Sequence, residues 1–487
     1  MNPLELSRRA SASFYHLTDV SLEGCACQGL ACFAARADNP QRWQQARASS
    51  PAVYCLGQCH HAPAAFADDA DVAIGVHSSA TVLLGNLVQG GARDIATYRE
   101  RGGGKAMRLA LATYPGKVIS ELEASGLRGR GGAGFPASTK WRAVASATAP
   151  QKYLVVNADE GDPGSFSDRL LLEHDPFRLI EACVIAAHAT GASHGIIYLR
   201  KEYPAARSVL ENAIAQAREA GWLGQGVLGS TLDFDLGIHI GQGSYVCGEE
   251  TSLLNSLEGR RPEVRLRPPQ ITEHGLHGQP TLVNNVETLC SVPWIIENGG
   301  ERYAAIGIGK SRGTKLLSLN SLFNHPGLYE VDFGISLRDI IEKIGGGLRR
   351  GQLKGVMIGG PLAGLVPPAL LDTALGYEEL QTIGAAVGHG GVIAFADDTA
   401  IAEIVAEVFR FGAQESCGKC TPCHLGSPEL ASSFSAVLAG EKMPASRWHD
   451  LIDALEATSL CGHGRGLAEF ARAIERHYPE ELAQCFA

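Results

Sequence analysis

Four cysteines in the last part of the chain have a spacing that suits a polynuclear iron site. Cys417, Cys420 and Cys423 form a C-x2-C-x2-C triplet, and Cys461 follows in Ser-Leu-Cys-Gly-His-Gly. Three closely spaced thiolates can hold one side of a compact cluster while a fourth arrives from a later segment, as in [4Fe–4S] sites. Structural zinc also accepts four cysteines, but usually through two C-x2-C pairs. The spacing favours a [4Fe–4S] cluster, with zinc and free thiols as the alternatives.

A second cysteine group lies within the first 80 residues. Cys27 and Cys32 are spaced C-x4-C, and Cys55 and Cys59 are spaced C-x3-C. This pairing resembles the [2Fe–2S] site of thioredoxin-like ferredoxins, in which two loops each supply two thiolates. Cys25 is adjacent, so the identity of the first ligand stays open. The alternative is a thioredoxin-like domain whose cysteines are only small buried side chains.

A glycine-rich run within residues 125–141 suits a phosphate group or a flat ring. Its closely spaced glycines are Gly126, Gly129, Gly131, Gly132 and Gly134. Such a loop can present backbone N–H groups to a phosphate or let a ring lie on the backbone. Arg128, Arg130 and Lys140 add positive charge. No clear strand precedes the run, so it is not the standard dinucleotide fingerprint.

An acidic run follows the apolar stretch 153–157, which we predict to be a strand. Its polar members are Asn157, Asp159, Glu160 and Asp162. These groups would stand at the carboxyl edge of a sheet, where open α/β sheets bind their ligands. A solvated acidic turn that caps the next helix is the alternative.

A third run, residues 241–252, again leads from a predicted strand through glycines into a helix that begins near Glu249 and Glu250. Carboxylates at a helix amino terminus are ordinary partners of the helix dipole. In a nucleotide pocket, they would instead accept ribose hydroxyls and repel a 2′-phosphate. A basic turn at 259–269 and the pair Asn284–Asn285 follow.

Composition and charge exclude several functions. The chain has 487 residues and a net charge of −10, which argues against nucleic acid as a partner. Its longest apolar run, 179–199, is interrupted by Glu181, His188 and His194, so no membrane span is expected. Thirteen cysteines, several of them clustered, and no evident export signal predict a cytoplasmic protein with metal-bound thiols.

The pattern of apolar periods predicts an α/β protein. Between 150 and 285, helices alternate with strands, which predicts a largely parallel, covered sheet. The helices are expected at 107–122, 175–189 and 203–220, and the strands at 153–157, 195–198 and 233–240. Short β-rich runs at 315–319, 327–331, 355–358 and 391–394 surround one helix at 336–344, and the chain after residue 399 is mainly helical.

These patterns divide the chain into five segments. We expect a thioredoxin-like ferredoxin domain at 1–80, a linker or arm at 81–106, and a Rossmann-like domain at 107–310. A small β-grasp (ubiquitin-like, SLBB-like) domain follows at 311–395, and a helical bundle with the [4Fe–4S] site at 396–487.

The three glycine and acidic runs, followed by the cysteine triplet and singleton, closely resemble one family over residues 100–487. It is the NADH-binding flavoprotein subunit of respiratory complex I, with its soluble diaphorase relatives. The extension before residue 100 resembles the arrangement in β-subunits of soluble NAD-linked molybdenum or tungsten formate dehydrogenases and of NAD-linked hydrogenases.

The resemblance implies cofactors and their ligands. FMN would be held by Gly129, Arg130, Gly131, Gly132, Gly134 and Lys140, and surrounded by Asn157, Asp159, Tyr245, Gly248, Glu249, Asn284, Asn285 and Thr288. Phe135 would stack on the nicotinamide nucleotide, with Glu160, Asp162 and Glu250 on its polar parts. The [4Fe–4S] cluster would be bound by Cys417, Cys420, Cys423 and Cys461.

The resemblance also implies a function. A nicotinamide exchanges hydride with FMN, the cluster passes single electrons onward, and no side chain acts as a nucleophile. The favoured context is a soluble formate dehydrogenase. Its other subunits would be a molybdenum or tungsten formate-oxidising chain and a small [2Fe–2S] ferredoxin-like chain. A hydrogenase or complex I diaphorase, and an iron–sulfur wiring subunit without FMN, are the alternatives.

Overall fold

A computed structural model of the protein describes residues 14–66, 68 and 70–487. The helices are α1 Leu30–Ala34, α2 Pro40–Ala48, α3 Ile95–Glu100, α4 Lys105–Leu111, α5 Pro115–Ser125, α6 Ala137–Ser146, α7 Ser167–His174, α8 Pro176–Thr190, α9 Pro204–Glu219, α10 Glu250–Leu257, α11 Val286–Asn298, α12 Gly300–Ala304, α13 Tyr377–Thr382, α14 Ile401–Gln414, α15 Thr421–Leu438, α16 Ala445–Thr458, α17 Gly462–His477 and α18 Pro479–Ala483. The strands are β1 Ala73–His77, β2 Tyr153–Ala158, β3 His194–Leu199, β4 Asp235–Ile240, β5 Thr281–Asn285, β6 Gly307–Ile308, β7 Ser311–Arg312, β8 Thr314–Leu319, β9 Gly327–Asp332, β10 Leu353–Ile358, β11 Leu365–Val366 and β12 Gly391–Ala396.

A four-stranded parallel sheet carries the glycine and acidic runs. Its strand order is β4-β3-β2-β5, so the chain proceeds outward from β2 to β4 and then returns to the other side of β2. The reversal between β2 and β5 creates a crevice at their carboxyl ends, the usual ligand site of such sheets. The predicted alternation and parallel pairing are confirmed. The helix expected at 107–122 is instead divided into α4 and α5, with Pro115 in the first turn of α5.

A second, mixed sheet has the order β1-β9-β8-β12-β10-β11. Its central strands β8 and β12 are buried at every position, and they match two of the predicted β-rich runs. The predicted helix at 336–344 is a π-helix over Asp339–Ile344. Because β1 comes from residues 73–77 and pairs parallel to β9, the sheet extends outside 311–395. The β-grasp assignment stays a prediction.

The segment expected to be a linker or arm, 81–106, is fixed to the core by buried carboxylates, and its assignment as a linker or arm stays a prediction. Glu330 on β9 accepts hydrogen bonds from the backbone N–H groups of Val82, Leu83 and Leu84. Glu181 on α8 accepts from the N–H groups of Gly104 and Met107 and from the hydroxyl of Tyr98. Helix α3 lies between these two anchors.

The thioredoxin-like fold expected at 1–80 is not seen in the residues that the structure describes, and the assignment stays a prediction. Between 14 and 70 they form α1, α2 and isolated bridges but no sheet, and β1 joins the second sheet. Helix α1 is buried along its whole length and packs on β12. Arg36 pairs with Glu403 of α14 at 2.9 Å. The segment therefore buries its apolar side chains against the rest of the chain.

The carboxy-terminal segment is helical, as predicted. Phe409, Phe434 and Trp448 pack together at ring-centroid distances of 5.4–6.3 Å. Phe470 and Ile474 are fully buried and belong to the core of this segment. Across the described part of the chain, no helix combines the length and apolar character that a membrane crossing needs.

Candidate functional site

Polar side chains from β2 and β5 meet at the crevice between these strands. The side-chain amide of Asn157 donates to the Gly248 carbonyl at 2.9 Å, and its oxygen accepts from the Asp159 N–H at 3.2 Å. Asn285 caps α11 by accepting from the Thr288 N–H at 3.1 Å. The structure thus brings together Asn157, Asp159, Gly248, Asn285 and Thr288, which the sequence assigned to one site.

The glycine loop lies against this crevice. A Cβ on Gly131 would lie 3.0 Å from Cβ of Asn285, so the close approach of the two chain segments requires glycine. Gly132 has φ of +123°, and a Cβ there would face open space. The following Phe135 is 48% exposed. A bare backbone with an exposed aromatic ring beside it fits the phosphate and ring of FMN and a stacked nucleotide.

A charged network borders the loop. Lys140 forms an ion pair with Glu250, and Arg267 reaches Glu249 at 2.5 Å and Glu250 at 3.0 Å. Glu249 also caps α10 by accepting from the N–H groups of Thr251 and Ser252. Arg267, which the sequence placed only in a surface turn, is therefore part of the site. The network combines cations for phosphate with carboxylates for ribose hydroxyls.

The side chain of Arg130 points away from the crevice, so only its backbone is placed to contact FMN. The guanidinium is fully buried, donates to the Tyr303 hydroxyl at 2.8 Å and to the Arg312 carbonyl at 2.6 Å, and lies over the Phe333 ring. Only its backbone stays at the loop, where the N–H donates to Thr288 Oγ1 at 2.8 Å. Arg130 fastens the loop to the protein interior.

Glu160 is likewise turned into the protein. Its carboxylate is fully buried and accepts hydrogen bonds from the hydroxyls of Ser165, Ser167 and Tyr203 and the backbone N–H groups of Asp168 and Arg169. Burial alone would raise the pKa of Glu160, but nearby positive charge and these donors hold it below its usual value. The expected contact of Glu160 with the nucleotide stays a prediction, and in this structure its carboxylate is occupied by protein donors.

Two other predicted site residues, Asn284 and Asp162, have protein hydrogen-bond partners. Asn284 is 6% exposed, and its side-chain oxygen accepts a hydrogen bond from Trp141 Nε1 at 2.8 Å, which fixes its position next to the crevice. Asp162 is half-buried and accepts from the Tyr245 hydroxyl at 2.6 Å. A Cβ on Gly161 would lie 2.8 Å from the Tyr245 ring, so the acidic run needs glycine there.

Three of the four carboxy-terminal cysteines stand at the beginnings of helices, and Cys417 lies in the loop before α15. Cys420 is the N-cap of α15, with Cys423 in its first turn, and Cys461 is the N-cap of α17. The backbone N–H groups of His463 and Gly464 act to lower the pKa of Cys461 against the effect of burial. Helix amino termini stabilise thiolates.

The electrostatics of these cysteines fit an iron–sulfur cluster. Burial and the neighbouring thiols raise the pKa of Cys423 to about 12 and contribute to raising the pKa of Cys461 to about 11. At neutral pH the thiols of Cys423 and Cys461 would ionise only next to a cationic centre, and ligation by iron would supply that charge. A Cβ on Gly464 would lie 3.3 Å from Cβ of Cys423, so the two loops meet through glycine.

The amino-terminal cysteines also come together. All four are at most 3% exposed, and Cys55 Sγ is 3.5 Å from Cys59 Sγ. The neighbouring thiol of Cys32 lowers the pKa of Cys27 to about 7. Sulfur atoms accept backbone N–H groups from Gly29, Gly57 and Ala64 at 3.3–3.4 Å. Cys25 instead contacts the Ser21 carbonyl, which leaves Cys27 as the first member of the set.

Tyr245 joins the crevice to the carboxy-terminal cysteines. Its hydroxyl donates to Asp162, and its N–H donates to Glu415, two residues before Cys417, at 3.0 Å. Its ring packs on Phe411 and His463 at 4.9 and 5.7 Å. One residue therefore contacts both the acidic run and the segments that carry the cysteines.

Comparison with known proteins agrees with this geometry. Residues 122–294 match the Nuo51 FMN-binding domain, and residues 403–485 match the NADH-ubiquinone oxidoreductase-F iron-sulfur binding region. The second F-type subunit of the NADH-quinone oxidoreductase of Rhizobium meliloti is 40% identical over 405 residues, which are 82% of this chain and 96% of the relative. The HndC subunit of the NADP-reducing hydrogenase of Solidesulfovibrio fructosivorans is 40% identical over 399 residues, 80% and 81% of the two chains.

A solved structure extends the similarity to the amino-terminal segment. It is a chain of the NAD+-reducing [NiFe]-hydrogenase in the H2-reduced state, with a TM-score of 0.82 and 30% identity, covering 99% of this chain and 87% of the other. The fold and the site define an NAD-dependent oxidoreductase that uses FMN and a [4Fe–4S] cluster. More specifically, the chain belongs to the family of F-type subunits of NADH-quinone oxidoreductase.

Proposed function

We propose that NAD(H) binds over FMN in the crevice between β2 and β5, with electrons passing to or from the cluster on Cys417, Cys420, Cys423 and Cys461. Bound FMN supplies the exchange between a two-electron hydride and single electrons. The contacts of Tyr245 with Asp162 and Glu415 carry this proposal, because they join the nucleotide crevice to the cluster loop.

The chain's own residues have binding roles in this proposal. The 129–134 backbone and Lys140 hold the flavin, and Phe135 covers the nicotinamide nucleotide. Glu249 and Glu250 favour NAD(H) over NADP(H) by accepting ribose hydroxyls and repelling a 2′-phosphate. Because Arg267 pairs with both carboxylates, the preference depends on those pairs. Equilibrium binding of NADH and NADPH to the flavin-loaded protein tests this: NADPH binding as tightly as NADH would contradict it.

We propose that the chain is the NAD(H)-converting subunit of a multisubunit complex. The full-length similarity to the NAD+-reducing [NiFe]-hydrogenase favours hydrogen as the electron donor of that complex. The formate hypothesis rests only on the layout of the sequence motifs. The NADH-quinone oxidoreductase relative is matched over only 82% of this chain, which supports a complex I setting less well. A cytoplasmic location would keep the thiols reduced and available for iron.

Purification of the native complex distinguishes these contexts. Hydrogen-dependent NAD+ reduction with a co-purifying nickel–iron subunit would support the hydrogen-linked complex. Formate-dependent reduction with a molybdenum or tungsten subunit would refute it in favour of formate. Protein with an iron–sulfur spectrum but no extractable FMN would instead indicate a wiring subunit.

We also propose that Cys27, Cys32, Cys55 and Cys59 hold a [2Fe–2S] cluster. Their burial and their backbone N–H donors support a cluster, because hydrogen bonds to sulfur stabilise and tune such sites. Iron analysis of Cys55→Ser tests this assignment. The variant should contain about two iron atoms fewer per chain than the unchanged protein. Equal iron content in the two would contradict it.

A further inference from the structure

A buried cluster of charged side chains adjoins the glycine loop. His389 Nε2 lies 2.9 Å from Asp168 Oδ2 and 3.6 Å from the Glu160 carboxylate, and all three residues are more than nine-tenths buried. Nothing in the sequence motifs pointed to His389, which stands in the run Gly388-His389-Gly390-Gly391.

The geometry of this cluster suits an ion pair better than a metal site. The Asp168 carboxylate also accepts from the Asn285 side-chain amide at 2.6 Å and from the Glu287 N–H at 3.2 Å. Glu160 is occupied by its own set of hydroxyl and backbone donors. The carboxylate oxygens therefore have protein partners, and His389 is the cation that they share.

Two connections lead from His389 to the flavin crevice. Gly388 forms an antiparallel bridge with Gly132 of the glycine loop. Asp168 holds the side chain of Asn285, and a Cβ on Gly131 would touch Asn285 at 3.0 Å. One connection runs through the backbone and the other through Asp168.

The groups that face His389 keep its imidazole charged. Burial by itself would lower the pKa of His389, but Asp168 and Glu160 raise it to about 9, against the opposing charge of Lys315. The charge of His389 also acts to lower the pKa of Asp162. The raised pKa means that the ring carries its proton at neutral pH and loses it as the pH rises through about 9.

We propose that His389 is a positioning residue that holds Asn285 against the glycine loop through Asp168, and that its positive charge favours the reduced flavin. The inference rests on the proposed function. A hydride from NADH carries one proton and two electrons, so the nicotinamide leaves with one more positive charge and the flavin site gains one negative charge. A nearby buried cation stabilises that charge, because charge near a flavin tunes its electronics.

The test uses the full-length, flavin-loaded protein and His389→Gln, which keeps a polar side chain without the charge. At pH 8 the ratio of reduced to oxidised FMN affinity should fall about tenfold. For a two-electron couple this corresponds to a midpoint potential about 30 mV more negative. Spectroelectrochemical titration measures the shift, and the wild-type potential should show a break near pH 9 that the variant lacks.

Two further variants separate charge from packing. The double variant His389→Gln/Asp168→Asn removes both charges and should return the potential toward the wild-type value. His239→Gln removes a half-buried imidazole whose pKa is lowered by burial and which stacks on Tyr198, so the flavin potential should not change.

The inference is overturned if His389→Gln retains FMN with an unchanged potential, or if the double variant shifts as far as the single one. Should His389→Gln fail to fold, the wild-type pH titration decides alone, and a potential without a break near pH 9 refutes the inference. Wild-type protein without extractable flavin would refute the proposed function itself, which is a different outcome.

Discussion

Lys315 and Glu287 form a fully buried ion pair behind the candidate site. Lys315 also donates to the His389 carbonyl at 3.2 Å, and Glu287 accepts from the Leu316 N–H at 3.0 Å. Lys315→Met would leave the Glu287 carboxylate buried with a single backbone donor and no cation paired with it. The pair therefore offers a direct test of how the charged interior supports the crevice.

The expected cost follows from the burial of both partners. Removing one member of a buried ion pair lowers the free energy of unfolding by about 3–5 kcal/mol, because the other charge stays desolvated and uncompensated. Glu287→Gln should cost a similar amount, since Lys315 would then have only the His389 carbonyl. The double variant Lys315→Met/Glu287→Gln removes both charges and keeps an acceptor for the Leu316 N–H. Its loss should be smaller than the sum of the two single losses by a coupling energy of about 3 kcal/mol.

Urea unfolding, monitored by tryptophan fluorescence and by the release of FMN, measures these differences in the free energy of unfolding. Lys117→Met is the matched control, because Lys117 pairs with Glu121 at 2.6 Å but is 51% exposed. Its unfolding midpoint should remain close to that of the unchanged protein. Additive losses in the double variant, or equal effects of Lys315→Met and Lys117→Met, would refute the reasoning.

Three further predictions concern the cofactors. Cys420→Ser should lose iron and electron transfer to one-electron acceptors, while NADH still bleaches its flavin. Cys25→Ser, which lies outside both cysteine sets, is the control. Electron transfer retained in Cys420→Ser would contradict the cluster assignment. Phe135→Ala should raise KM for NADH about three- to tenfold at unchanged FMN content, from the usual worth of an aromatic contact, whereas Tyr114→Ala should not. Glu250→Gln should improve NADPH binding about tenfold, because it removes a repelling charge and one of the two carboxylates that pair with Arg267. Glu273→Gln, at an exposed position, is the control, and unchanged NADPH binding would count against the prediction.

The α/β domain could be predicted because local signals and tertiary structure agree there. Strands β2, β3 and β4 are short apolar runs, and α8 and α9 begin at prolines and end near glycines, so each boundary has a chemical cause. The crevice followed from the order of these elements, since polar residues after parallel strands meet at one edge.

The amino-terminal third could not be predicted in the same way. Residues 82–84 are fixed by Glu330, a residue almost 250 positions later, and 104–107 by Glu181. A glycine-rich, charged stretch looks like a linker when those partners are unknown. The cysteine spacing of residues 27–59 identified the set of thiols, but the expected sheet is not found among the described residues, because these pack on β12 and α14 instead.

Within the site, residue type did not determine side-chain direction. Arg130 and Glu160 stand in the right motifs, but their side chains point into the interior, where Tyr303 and Tyr203 meet them. Conversely, His389 lies in a glycine turn and Arg267 lies in a basic turn, and neither turn carries a cofactor motif. Charge and spacing identify a motif, whereas partners distant in sequence decide which side chains face the ligand.

Anaerobic titration of the purified protein with NADH tests the central claim most directly. The absorbance of the flavin and the electron paramagnetic resonance of the [4Fe–4S] cluster are recorded together. The account predicts bleaching of the flavin together with a reduced-cluster signal that disappears in Cys461→Ser. Bleaching without a [4Fe–4S] signal in the unchanged protein, or a [4Fe–4S] signal that survives in Cys461→Ser, would contradict it, whereas the signal of a [2Fe–2S] cluster on the amino-terminal cysteines should remain.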